Sequence, residues 1–342
     1  MSVAEAFSPE QAAPVLVSVR TRAFQLSRDL VNLLGQAGGT GEILAAINAT
    51  LLGRVAGGAL ESLDQVEQAA FRLLASEYSR IERAVPPGVN PAVRAYTLVV
   101  DAHDLAILES VVRQGRAAEE APLAAPGSPV VRRFLDAVAE QGLSRLPELL
   151  RGLGYRRAAE VVEASPEAPL SLALDVELLS SFYEALEQLK GTPAEHVLCG
   201  RLDIYSLRAA AGAAPLAKAN PALSEAVARR IKACMLDEDR LRGVLGEEDY
   251  YSALEQALAG NPYSTGVEAA VPLPDAVVHA IRRRLRPVAE MYSLGDPVEE
   301  WFPAPVMELL LLSVEDVSAL VAGINMGFTR EEIPSLLSIS AR

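Results

Sequence analysis

The sequence predicts an all-α protein built from three similar helical modules, at residues 15–121, 129–213 and 221–337. Three observations lead there. The 342 residues are 50% hydrophobic but only 5% aromatic, so the cores must be built from Leu, Val and Ala. Ala and Leu are strong helix formers, and aromatic strand formers are scarce. Apolar residues recur every three or four positions over long stretches, the period of an amphipathic helix. One short element also returns three times, at spacings of 102 and 110 residues.

Taken in order, Val15-Leu16-Val17-Ser18-Val19 has strand-like composition but is too short and isolated to build a sheet. From Ala59 to Val85 the pattern is the clearest in the chain. Leu60, Leu63, Val66, Ala70, Leu73, Leu74, Tyr78, Ile81 and Val85 share one face, and Asp64, Glu67, Arg72 and Arg80 fill the other. Such a rod runs roughly 40 Å at 1.5 Å per residue. Pro86-Pro87-Gly88 stops it, and Asn90-Pro91 opens a second helix that fades near Gly115. Pro122–Pro129 reads as a linker, and a helix begins near Val130. Ser165–Pro169 is a break, followed by a helix over Leu170–Leu189. Val197-Leu198-Cys199 is strand-like and isolated, and a helix is expected over Leu198–Ala211. After a Pro/Asn gap at Ala214–Pro221, helices are expected over Leu223–Met235, Arg240–Ala259 and Pro274–Met291. Pro297–Pro305 interrupts the pattern before a helix over Val306–Met326. Thr329 with Glu332 fits a capping box for a last short helix.

The recurring element reads Asp101-Ala102-His103-Asp104-Leu105, then Asp203-Ile204-Tyr205-Ser206-Leu207, then Ser313-Val314-Glu315-Asp316-Val317. Its two polar positions lie three apart, hence on one helix face, and its aliphatic points toward a core. A second motif precedes each copy: an amphipathic helix, a turn and a short helix ending at Leu51-Leu52-Gly53, Gly154-Tyr155 and Asn261-Pro262-Tyr263. A period near 100 residues exceeds that of solenoid repeats. It suits three units that each have a core, rather than one continuous superhelix. The polar positions are expected to satisfy backbone donors where helices meet. Recurrence of this kind points to a copied scaffold, not to a catalytic site.

Charge and composition exclude several functions. The formal net charge of −14 argues against nucleic acid, because phosphate binding needs surplus Lys and Arg. The local run Arg282, Arg283, Arg284 and Arg286 reads as a solvated helix face, with a seat for an acidic partner as the alternative. Cys199 and Cys234 are the only cysteines. One pair is no disulfide framework, and no C-x-x-C occurs. They read as small buried hydrophobes in a cytoplasmic protein. No run approaches about 18 uninterrupted apolar residues, so no bilayer span is expected. Met1–Pro14 lacks a basic cluster and is not read as a secretory signal. Membrane contact would be peripheral, through another protein.

No catalytic residue, cofactor or metal is assigned. His103, His196 and His279 are far apart in sequence and lack any metal-binding spacing. His103-Asp104 alone makes no metal-hydrolase site. Asp237-Glu238-Asp239 and Glu247-Glu248-Asp249 lack the spacing of an Mg²⁺ site, and carboxylates beside helix ends favour N-termini. Gly38-Gly39-Thr40-Gly41 lacks the Lys of a P-loop and reads as a helix stop followed by an N-cap. Trp301, in a Pro-rich break, reads as a local core plug. Small residues beside the recurring element (Ala102, Ala209-Ala210-Ala211-Gly212, Ala319, Ala322-Gly323) are expected to let the protein's own helices pack closely, with close approach of another protein's helices as the alternative.

With these residues in view, the chain resembles the C subunit family of V/A-type ATPases, related to the eukaryotic subunit d. That family carries repeated Asp-x-x-Asn-Leu elements, an Arg-x-Arg helix near the N-terminus, and a C-terminal Glu-x-x-Asn-Leu stretch followed by Gly, Gly-Leu/Phe and Glu-Glu-Ile. Here Arg20-Thr21-Arg22 matches the Arg-x-Arg, followed by Leu26 and Leu30. The C-terminal match is Glu315-Asp316-Val317, Gly323 and Gly327-Phe328-Thr329-Arg330-Glu331-Glu332-Ile333. The family Asn is replaced by Asp104, Ser206 and Asp316. The base that often follows the Leu survives only as Arg208, with Ala106 and Ser318 at the other two places. The resemblance covers roughly Val15 to Leu337.

It implies three similar domains around a pseudo-threefold axis, forming a funnel. The first module would be completed by the C-terminal helix. The family's role would make the chain a non-catalytic connector, one copy per complex. It would take the rotor stalk subunits (D/F type) in its mouth and sit on the membrane proteolipid ring. In that role it passes torque coupled to ion transport, binds no nucleotide and cuts no bond. The candidate element and partner-contact residues are then Arg20, Arg22, Asp101, Asp104, Asp203, Ser206, Arg208, Asp316 and Gly323. The alternative is an all-α scaffold or adaptor of unrelated role.

Overall fold

The computed structural model describes residues 9–36, 40–86, 88, 90–263, 273–329 and 331–339. Among them every regular element is helical, and no strand occurs. The α-helices are α1 (Pro9–Gln36), α2 (Thr40–Asn48), α3 (Leu51–Ala56), α4 (Leu63–Ala84), α5 (Pro91–Arg113), α6 (Pro129–Gln141), α7 (Leu146–Leu153), α8 (Arg156–Ala164), α9 (Leu170–Gln188), α10 (Ala194–Ala217), α11 (Pro221–Ala228), α12 (Glu238–Gly243), α13 (Tyr250–Leu258), α14 (Asp275–Tyr292), α15 (Pro303–Asn325) and α16 (Ile333–Leu336). The all-α expectation holds, the break expected at Ser165–Pro169 falls between helices, and the one expected at Pro122–Pro129 does so up to Pro129, which opens α6. The Gly38-Gly39 part of the expected helix stop lies outside the described residues.

Several boundaries differ, each for a local reason. The strand-like run at Val15–Val19 sits inside α1. There a stripe of Ala12, Leu16, Val19, Ala23, Leu26, Leu30 and Leu33 is almost wholly buried, and that helical period outweighs the local β-branched composition. Val197–Cys199 lies inside α10 in the same way, and α10 continues through Pro215 to Ala217. Helix α4 begins at Leu63 rather than near Ala59, because the Ser62 side chain caps it by accepting from the Gln65 amide. The helix expected over Leu223–Met235 stops at Ala228. The one expected over Arg240–Ala259 is split into α12, a 3₁₀ turn and α13. Asp237 and Asp249 each accept from the amide three residues on and start new helices, so the acidic clusters flagged in the sequence cap helix ends.

The chain divides into two compact units. The first comprises Met1–Thr97, Leu189–Val197 and Arg282–Arg342. Its centre is α15, which is buried almost all round and packs against α1 and α4. Pro303 and Pro305 suit its first turn, where backbone N–H groups have no intrahelical acceptor. Two tyrosines reach it: Tyr78 Oη donates to the Met307 carbonyl at 2.7 Å, and Tyr96 Oη to Glu308 Oε2 at 2.8 Å. On α4, Glu77 has no exposed surface and is met by Arg22 and Arg80.

The second unit comprises Leu98–Gln188 and Leu198–Ile281. Here α8 packs against α7, α9 and α11. Glu177, buried on α9, accepts from the amides of Arg157 (2.8 Å) and Ala158 (3.0 Å). A side chain of one helix thus satisfies the orphan donors that open another. Cys199 and Cys234 form a disulfide with a Cα–Cα distance of 5.5 Å. This corrects their reading as separate apolar fillers. Helix α10 presents Cys199 where the chain after α11 doubles back, and sequence spacing alone does not reveal that approach.

Candidate functional site

The three copies of the recurring element lie in α5, α10 and α15. Their aliphatics Leu105, Leu207 and Val317 have no exposed surface, and neither have Asp104, Asp203, Ser206, Ser313 and Asp316. Burying a carboxylate is costly unless donors surround it, and each copy supplies donors from chain that lies downstream.

In the first copy, Asp104 accepts from the amides of Ala124 and Ala125, both at 2.8 Å. Asp101 accepts from Ser128 Oγ at 2.9 Å and Tyr155 Oη at 3.1 Å. Burial pushes the Asp104 carboxyl up, while the two amides pull it partly back. Burial and the neighbouring Asp101 also drive the Tyr155 hydroxyl far up, so it stays a donor.

In the second copy the roles shift by one helical turn. Asp203 accepts from the Cys234 amide at 2.8 Å, the Met235 amide at 3.1 Å and Tyr263 Oη at 2.9 Å. Ser206 donates to the Lys232 carbonyl. Burial again pushes the carboxyl up, and the surrounding donors pull it only partly back. The Cys199–Cys234 disulfide fastens the same returning segment.

In the third copy, Asp316 accepts from the Ser338 amide (2.7 Å) and Ser338 Oγ (2.8 Å). It also receives Arg282 at 2.7 Å and Arg286 at 3.0 Å. Arg286 further donates to Ser338 Oγ at 2.6 Å and Ser27 Oγ at 2.9 Å, and Ser27 meets Ser313 at 2.9 Å. One buried network therefore joins α1, α14, α15 and the segment after α16. This corrects the reading of the arginine run as a solvated face: Arg282 and Arg286 are buried, and the acid they meet is Asp316 of their own chain. Only Arg284 is exposed in full. The four-residue spacing of 282 and 286, flanked by apolar Ile281 and Leu285, was the available signal.

The remaining candidates fall as follows. Arg20 donates to the Ser293 carbonyl at 2.9 Å, and Arg22 pairs with Glu77. Arg208 is exposed and lies 5.9 Å from the Tyr205 ring centroid. Gly323 is a close-packing point. A Cβ there would stand 2.9 Å from Leu336 Cδ1 and 3.3 Å from Ile333 Cγ1, so α16 lies directly on α15. Gly212 approaches Leu172 in the same manner. Trp301 closes on Gly295, whose Cβ would meet its ring at 2.6 Å, as a local plug does.

Three partners escaped sequence reasoning. The sequence shows Tyr155 and Tyr263 only as ends of the second motif, yet both donate to the first Asp of an element. Ser338 carried no pattern at all. Chemically, the carboxylates are occupied in holding chain. Among the described residues no group of three or more His, Cys, Asp and Glu gathers as for a metal ion. No helix among them is long and apolar enough to cross a membrane.

Comparison with known proteins adds one match and one absence. Residues 18–335 match the family model described as ATP synthase (C/AC39) subunit. No curated protein matches the chain.

Proposed function

Because the chain belongs to the ATP synthase (C/AC39) subunit family, we propose that it is the non-catalytic connector of a V/A-type rotary ATPase. In this role one copy seats the D/F-type rotor stalk on the membrane proteolipid ring and passes torque between them. It works at the cytoplasmic membrane face without entering the bilayer. The family match over residues 18–335 carries this reading. The network geometry supports it. A part that transmits torque needs elements that do not shear, and each copy of the element locks a helix to chain far downstream through buried, charge-assisted or doubled hydrogen bonds. We further propose that residues 15–121, 129–213 and 221–337 are three copies of one module around a pseudo-threefold axis. Asp104, Asp203, Ser206 and Asp316 then serve as internal fasteners, and Arg20, Arg22 and Arg208 are left as the candidates for partner contact.

Deleting the gene and assaying membrane vesicles tests the role. The expected result is that the catalytic head still hydrolyses ATP while ATP-driven ion transport is lost, and that native mass spectrometry of the wild-type complex finds one copy of this chain with stalk and ring. Full transport in the deletion strain, or a chain absent from the purified complex, refutes it.

A further inference from the structure

A cleft of about 300 Å³ opens on the first unit, between the first turns of α1, the end of α4 and the loop that leads into α15. Ala12, Leu16 and Val85 line its deep side and are almost fully buried. Pro297 and Val298 line its outer side, and Val298 is 39% exposed. The same stretch of chain exposes Leu294 at 67% and Met291 at 56%. Asn90 makes the cleft rigid. Its Nδ2 donates to the Glu300 carbonyl at 2.7 Å while its Oδ1 accepts from the Ala92 amide at 3.0 Å and the Val93 amide at 3.3 Å. One side chain thus caps α5 and pins the loop.

The rim is acidic. Glu299 and Glu300 complete the lining, both are exposed, and neighbouring Asp296 is exposed as well. Among the described residues no Lys or Arg pairs with any of the three. An apolar slot beside unpaired carboxylates selects its occupant. Anionic lipid headgroups and phosphates are repelled by this rim and by a chain of net charge −14. A cationic segment with apolar side chains is attracted, and the space suits one or two aliphatic side chains.

We propose that this cleft docks a short apolar and basic segment of a partner protein. Its aliphatic side chains seat against Ala12, Leu16 and Val85, and its Lys or Arg residues meet Glu299 and Glu300. The apolar contact supplies the affinity and the charges supply orientation and on-rate. The inference goes beyond the connector reading and does not depend on which complex the chain joins.

The test places the photo-crosslinker p-benzoylphenylalanine at Val298 of the full chain. Cells of its own host are irradiated, and the adduct is mapped by mass spectrometry. The cleft is then read whether or not the chain assembles with an ATPase, which purification of the complex reports separately. The expected adduct is to a partner segment carrying aliphatic residues beside two or more Lys or Arg. Its yield should fall about tenfold in Glu299→Lys/Glu300→Lys, as expected for reversing two interfacial charges, and hold in Glu140→Lys/Glu187→Lys, an equal change made elsewhere. The proposal is overturned by no adduct above the dark control, or by an adduct only to this chain's own residues 1–8 or to a second copy. An adduct to a segment without basic residues, or a yield indifferent to the reversal at Glu299 and Glu300, overturns it too.

Discussion

Asp316→Asn should cost the first unit about 3 kcal/mol, the low end of the range for breaking a buried ion pair by removing one partner. Asp316 has no exposed surface, and Arg282 and Arg286 side chains are 6% and 4% exposed. The amide keeps the carboxylate's shape and one oxygen, but its NH₂ faces groups that already donate. Two buried guanidinium ions then lose their shared counter-charge. The cost stays at the low end because Arg282 keeps Glu315 at 3.1 Å and Arg286 keeps Glu290 at 3.7 Å. For a unit of this size the change lowers Tm by roughly 6–12 °C, at about 2–4 °C per kcal/mol. Urea unfolding followed by far-UV circular dichroism gives the free energy. Hydrogen exchange at the Ser338 amide, which donates to Asp316, reports the latch itself and should lose protection. Replacing all three charges, as Arg282→Met/Arg286→Met/Asp316→Leu, should restore stability to within about 1 kcal/mol, since no fully buried charge is then stranded and Glu315 and Glu290, at 20% and 40% exposure, reach water. Arg284→Ala, at an exposed site, should change stability by less than about 0.5 kcal/mol. An Asp316→Asn protein within about 0.5 kcal/mol of the parent, with Ser338 still protected, would refute the buried-network reasoning.

Three further outcomes are expected in the second unit. Burial holds the His103 imidazole down at about 4 against an ordinary 6.5. Between those values the unfolded chain takes a proton that the folded chain refuses, so stability falls as pH falls; His103→Gln should shrink the difference between pH 7 and pH 5 by about 2 kcal/mol, read from urea midpoints at both. Burial pushes the Asp175 carboxyl up to about 6, with Arg208 pulling partly back. The folded chain therefore binds the extra proton between 3.8 and 6, and stability is lost as pH rises through that window. Asp175→Asn should thus gain about 1 kcal/mol at pH 7, after discounting for the part of its surface that reaches water, and nothing where both forms are protonated; equal gains at pH 7 and pH 3.5 would refute this. The Cys199–Cys234 bridge spans 35 residues of sequence. On a chain-entropy basis, reduction or Cys199→Ser/Cys234→Ser should cost about 3–4 kcal/mol, and a titration finding two free thiols in the unfolded, unreduced protein would refute the bridge.

The fold class was legible because helical period is a property of one segment. The face of α4 and the Pro- and Gly-marked ends of α5, α8 and α9 can be read without knowing what they touch. The errors came where the deciding interaction was not local. Val15–Val19 has strand composition over five residues, but the stripe that makes it helical runs from Ala12 to Leu33. In the same way, nothing in Arg240–Ala259 marks the start of a second helix as plainly as Asp249, which caps α13. Propensity yields to capping there because each cap satisfies donors that a straight helix leaves to its next turn.

The element itself was legible as a repeat but not as a mechanism. Its apolar member behaves alike in every copy, because a residue with no exposed surface tolerates little change: Leu105, Leu207 and Val317 are all fully buried. Its polar members follow a looser rule. Position four receives two amides in the first copy, position one does so in the second, and position four receives one amide and two guanidinium groups in the third. The shared requirement is that a buried acceptor on one helix face meet the chain returning 20 to 32 residues later. Positions one and four lie on the same face, so either can meet it. A carboxylate can therefore move one turn along the helix while the task stays in place. Sequence comparison by position sees such a move as a lost residue, whereas comparison by what the side chain holds sees one device used three times. On that view Asp104, Ser206 and Asp316 are exchanges of fasteners, and residues that meet another protein must be sought instead among those that reach the surface, with Arg208 and the Glu299–Glu300 rim first.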